Sequence, residues 1–106
     1  MSLDVSLIEN SIEVYTANIT HNLFEMAKAA DIYYHLWRPE EIGITKAYQL
    51  IEPLCVGLQV LLDKREKMLV HNPANGWGTY DGLLDFIFNY VSACAKYRDA
   101  DVEVSR

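Results

Sequence analysis

The sequence predicts a mostly helical α+β domain, and three observations point to it. Residues 21–30, 46–63 and 80–97 repeat their apolar side chains with the 3.6-residue period of a helix. Stretches near both ends alternate apolar and polar residues with the two-residue period of a strand. No repeat, low-complexity run or linker breaks the 106 residues, so residues 1–106 make one domain in the order β-α-α-α-β. A lone strand leaves its backbone N–H and C=O groups unsatisfied. The N- and C-terminal strands are therefore expected to pair, giving a small antiparallel sheet over three main helices.

In "SIEVYTANI", Ile12 and Val14 alternate with polar neighbours and predict a strand over 12–17. Residues 3–8 supply a second strand turned at Glu9-Asn10. Ile12 and Val14 are expected to share the helix-facing side with Val102 and Val104 of "DVEVSR". Met1-Ser2-Leu3 reads as an expression-vector remnant and stays out of the fold.

Thr20 is a good N-cap for the helix over 21–30, with Ile19 and Phe24 spaced as a hydrophobic staple. Leu23, Met26, Ala27 and Ala30 share its inner face. "DIYYHLWRP" is a separate helical turn, because Pro39 pushes Arg38 out of α geometry, and Gly43 ends the turn of "PEEI". Thr45 is expected to cap the helix over 46–63, whose stripe is Ala47, Leu50, Ile51, Leu54, Leu58, Leu61 and Leu62. Pro53 removes the bond to the Gln49 carbonyl and predicts a kink; a start nearer Glu52 competes with that reading. Gly57, three residues after Leu54, leaves room for another backbone to approach. "DKREKMLVH" is a polar exit with a loose turn that docks Met68 and Leu69. The last helix carries Leu83, Leu84, Ile87, Tyr90, Val91 and Cys94 inward, with Asp81 and Asp85 early and Lys96 and Arg98 late, as its dipole favours. Phe86 and Phe88 flank that line and cannot both be central, so one is exposed or sits in a homodimer contact.

Composition narrows the function classes. Hydrophobic residues are 51% and charged residues 23%, as in a globular chain rather than a disordered one. Fifteen acidic against nine basic residues give a net charge of −6, which argues against nonspecific nucleic-acid binding. Glu40-Glu41 is the only adjacent acidic pair, too sparse for a DNA mimic. The apolar runs fall short of a membrane span, and no basic segment precedes an apolar one at the start, so a cytoplasmic protein without export signal is expected. Cys55 and Cys94 lie in apolar helical runs and read as small, reduced core fillers. Without CxxC, HxH or HExxH spacing, no metal or cofactor is expected.

"THNL", "LWRPEE", "NPANGWG", "SAC" and "DADVEVSR" together resemble a family of short uncharacterised proteins encoded by bacteria and their phages. The resemblance covers about residues 14–106. It implies a small stand-alone cytosolic protein of phage origin and carries over no activity.

"HNPANGWGTYDG", residues 71–82, is the stretch that helix and strand patterns do not absorb. Asn72-Pro73 favours a turn, Gly76 and Gly78 permit left-handed backbone, and Thr79 is a sound N-cap. Trp77 between the glycines is expected to plug a gap between helices. The alternative is a binding loop: Asn72, Asn75 and Trp77, with His21, Asn22 and Arg38, suit a planar polar ligand such as a nucleotide or base. No Gly-Lys-Ser/Thr ending makes a P-loop, and neither Ser92 nor Ser105 sits in a nucleophile elbow. Asp81 and Asp85, one turn apart, read as a solvated face, and His35 and His71 as packed or loop-bonded. The sequence thus favours a non-enzymatic protein-interaction or regulatory module, with a small-ligand-binding protein as the alternative. An apolar interface would favour the first, an open polar pocket beside Trp77 the second.

Overall fold

The computed structural model describes residues 2–76 and 78–106. An N-terminal hairpin opens the chain: β1 (Ser2–Glu9) and β2 (Ile12–Thr20) pair antiparallel, with Glu9 opposite Ile12. The two linking residues, Asn10 and Ser11, have φ of 53° and 65°. Positive φ at both central positions is what a two-residue turn needs to match strand twist. The C-terminal strand β3 (Asp101–Ser105) pairs antiparallel with the other edge of β1, so the sheet order is β2-β1-β3. The expected pairing of the two ends exists, but β1 is its centre and β2 never touches β3. Leu3 is fully buried in β1, which brings Ser2 and Leu3 of the supposed vector remnant into the fold, while Met1 lies outside the described residues.

The inward face of β2 also differs from expectation. Leu7 lies opposite Tyr15 while Ile8 lies opposite Glu13, so Val14 is the extra residue of a β-bulge. A one-residue slip moves every later side chain to the other face. Tyr15, Ala17 and Ile19 therefore join Leu7, Val5 and Leu3 on the inner face; Ile12 is 64% exposed, while Val14 packs against the core as expected. Val102 and Val104, opposite Leu7 and Val5, do face the core.

Thr20 caps as expected, its hydroxyl accepting the Asn22 N–H, but the first turn tightens into a 3₁₀ helix, His21–Leu23. The following α1 (Phe24–Ala29) and α2 (Tyr33–Trp37) are joined at Asp31, whose φ is 60°. There Asp31 N–H donates to the Lys28 carbonyl and Ile32 N–H to the Ala27 carbonyl, both at 3.0 Å. These paired bonds form a Schellman motif with aspartate in the position glycine usually takes. A second 3₁₀ turn, Pro39–Ile42, ends at Gly43 in left-handed geometry.

The helix α3 (Tyr48–Asp63) runs unbroken through Pro53, which removes the start near Glu52. Thr45 does not cap it with its side chain. Gln49 Oε1 instead accepts the amides of Thr45 (2.8 Å) and Lys46 (2.9 Å). The amides of Ala47 and Tyr48 donate to Ala100 and Arg98 carbonyls just before β3. Its inner line is Leu50, Leu54, Gly57 and Leu61, and that leaves Leu62 and Cys55 exposed against expectation. Cys55 follows Leu54 by one residue, about 100° around the helix. A Cβ on Gly57 would lie 2.3 Å from Ile32 Cγ2, so a side chain, not a backbone, occupies the space this glycine leaves.

A short α4 (Arg65–Leu69) buries Met68, with Leu69 packed against the core. The last helix, α5 (Tyr80–Lys96), starts where Thr79 Oγ1 accepts the Gly82 N–H at 3.0 Å. Phe86 is buried and Phe88 is 63% exposed, resolving which phenylalanine is central. The sheet's inner face and the helices share one apolar core, in which Tyr15 of β2 stacks on Tyr90 of α5 at 6.0 Å. No helix among the described residues is long and apolar enough to cross a membrane.

Candidate functional site

Segments 20–23, 36–41 and 104–106 meet at one corner of the molecule. Trp37, buried at the end of α2, is the hub. Its indole N–H donates to His21 Nδ1 at 2.8 Å, and its carbonyl accepts Arg106 Nη1 at 2.8 Å. An indole nitrogen only donates, so Nδ1 is the bare nitrogen and His21 presents its proton on Nε2. Tyr33, one turn earlier, stacks on Trp37 with centroids 5.7 Å apart and planes within 10°. Its hydroxyl accepts Arg38 Nε at 3.2 Å, while Arg38 Nη1 pairs with Glu41 at 2.7 Å. These contacts, the Tyr33 hydroxyl first and Glu41 next, hold the Arg38 guanidinium above its ordinary pKa, so it stays charged. Arg106 pairs with Glu40 at 2.6 Å.

His21, Phe24, Tyr33, Trp37, Arg38 and Arg106 line a cavity of about 210 Å³. Lys28 adds a third cation, its Nζ 4.7 Å from the Phe24 centroid and 5.1 Å from that of Tyr33. Two arginines thus line the cavity, and Lys28, outside the lining, stands over two of its aromatic rings, in a chain of net charge −6. Among the described residues, the protein bonds of Arg38 use Nε and Nη1, and those of Arg106 use Nη1. Each guanidinium keeps an Nη2 group for a further acceptor.

The structure brings together two of the six residues singled out from sequence, His21 and Arg38. Asn22 is exposed and outside the cavity lining. Asn72 serves the backbone: its Oδ1 accepts the Tyr80 N–H at 2.9 Å and so satisfies an amide at the start of α5. Asn75 is exposed and does not line the cavity. Trp77 lies outside the described residues, and with it the expected plug. The loop does reach this corner, since a Cβ on Gly78 (φ 102°) would lie 2.6 Å from Thr20 Cγ2 and 3.0 Å from Leu23 Cγ. Sequence reading missed Phe24, Tyr33, Trp37 and Arg106 as site residues. Only the resemblance, which includes Trp37 and Arg106, carried a signal for them.

Among the described residues no three His, Cys, Asp or Glu side chains are placed to hold a metal ion. The chain matches no protein-family model, no curated protein and no solved structure.

Proposed function

We propose that the protein is a non-enzymatic interaction module that reads a carboxylate presented by a protein partner at the His21–Arg38–Arg106 corner. The observation that carries this reading is the pair of half-satisfied guanidiniums on an aromatic floor. Arginine's planar donors match a carboxylate better than a point charge does. Size favours a partner's side chain or terminus over a free nucleotide. Pockets for small molecules run to about 300–1,000 Å³, and this one is about 210 Å³. The second reading, a small-ligand protein, survives here only for a compact anion. Self-association through the exposed Phe88 has only that side chain's exposure behind it. A cytoplasmic setting fits the two free thiols.

The test is an NMR titration with benzoate and with a blocked glutamate, following the Trp37 indole N–H. Saturable shifts at Trp37, Tyr33 and Phe24 that vanish in Arg38→Leu are expected. Shifts unaltered by Arg38→Leu, or no shifts at all, would reject the reading.

A further inference from the structure

We infer that the groove between α2 and α3 is a second binding site, and that it takes a small organic amine with an apolar body. This site is separate from the His21–Arg38–Arg106 corner and shares no lining residue with it. The groove encloses about 600 Å³, inside the range of ordinary small-molecule pockets, about 300–1,000 Å³. Its floor is apolar, from Ile32, Pro53, Val56 and Val60. Of the lining, Tyr48 and Val56 are 47% and 58% exposed.

Charge decides what it takes. Asp31 and Glu52 line the groove, and no Lys or Arg does. Neither carboxylate has an ion-pair or hydrogen-bond partner among the described residues. His35, on the same wall, adds no compensating cation, because burial lowers its pKa more than Asp31 raises it. An anion would meet two carboxylates over hydrocarbon, whereas an ammonium would meet two partners and an exposed tyrosine ring. A cation over such a ring gains further attraction. The hydrocarbon that carries the ammonium would cover the apolar floor.

Two local costs sit on this wall. Asp31 occupies a left-handed backbone position that glycine would fill more cheaply. His35 Nδ1 is shut off from solvent and has no hydrogen-bond partner among the described residues. Stability alone favours neither feature, and such costs gather where a wall is shaped for a ligand.

Phenethylamine, 3-phenylpropionate and a blocked lysine are titrated into the full chain, with amide shifts as readout. Phenethylamine is expected to give saturable shifts at Ile32, Tyr48, Val56 and Val60, and phenylpropionate none. Asp31→Asn with Glu52→Gln should weaken phenethylamine about tenfold. Asparagine tolerates left-handed backbone as aspartate does, so this double variant keeps the turn, and an unchanged amide spectrum elsewhere verifies the fold. Should the double variant unfold, Glu52→Gln alone is read and a clear weakening is still required. Equal binding of phenylpropionate, affinity unmoved by removing the carboxylates, or no saturable amine binding would each overturn the proposal. Blocked lysine binding as tightly as phenethylamine would also overturn it, by assigning the groove to a partner's side chain.

Discussion

Arg106 Nη1 donates to the Trp37 carbonyl oxygen at 2.8 Å, joining two residues 69 positions apart. This carbonyl lies in the last residue of α2, where a helix leaves C=O groups without intrahelical donors. Arg106→Ala removes that donor and the pairing with Glu40. With the side chain 36% exposed, the expected cost is about 1 kcal/mol. Urea melts check it, and a variant as stable as wild type would mean that solvent replaces the contact.

Asp31 yields a prediction of sign. At φ 60°, Asp31→Ala puts into left-handed geometry a residue that adopts it less readily than aspartate or asparagine. It should destabilise by about 1 kcal/mol, while Asp31→Gly should cost nothing or stabilise slightly. Equal losses in both would show that the carboxylate itself, not the backbone, stabilises the turn.

Two buried tyrosines should respond in opposite directions to loss of their hydroxyls. Tyr80 donates to the Leu61 carbonyl at 2.6 Å, tying α5 to α3. Tyr90 has no hydrogen-bond partner among the described residues, and burial pushes its pKa up. Tyr80→Phe should lose about 1 kcal/mol, and Tyr90→Phe should gain a comparable amount. Thermal melts of the two variants measure the split.

Thiol chemistry separates the two cysteines. Cys55 is exposed, whereas burial pushes the Cys94 thiol up to about 12. A disulfide reagent attacks thiolate, so one thiol should react quickly in the native protein and the second only after denaturation. Cys55→Ser should abolish the fast phase.

The pH dependence follows from His35, whose pKa lies below its ordinary value because burial outweighs the pull of Asp31. A group kept neutral in the fold makes the unfolded chain the better proton binder. Stability should therefore fall as pH drops below about 6.5, the ordinary imidazole value, and flatten below the lower folded value. His35→Gln should reduce that slope relative to wild type; an identical slope would assign it to other groups.

Features set by neighbours in sequence were legible without coordinates. Thr20 and Thr79 cap as read, Gly43 ends its turn, and one of Phe86 and Phe88 is exposed, though the sequence did not say which. The misreadings share a cause in long-range contacts. The bulge at Val14, which flips the face of β2, arises from register with β1. Helix α3 starts at Tyr48 because Lys46 bridges Asp101 and ties the chain before it to the strand end. Of the candidate site, His21 and Arg38 were legible as polar residues at element ends. Arg106 was not, because its role depends on reaching a carbonyl across the fold.

The sheet order also shapes how the protein is made. Translation delivers β1 and β2 together, and their two-residue turn lets the hairpin form within microseconds of emergence. The other edge of β1 waits for residues 101–105. At ribosomal speeds of about 5–20 residues per second, that interval lasts several seconds. Throughout it, a strand bearing Leu3, Val5 and Leu7 has one row of backbone donors and acceptors open to a neighbouring nascent chain. A translational pause before β3 prolongs that open edge, and is expected to lower the yield of folded protein without touching the stability of the finished molecule.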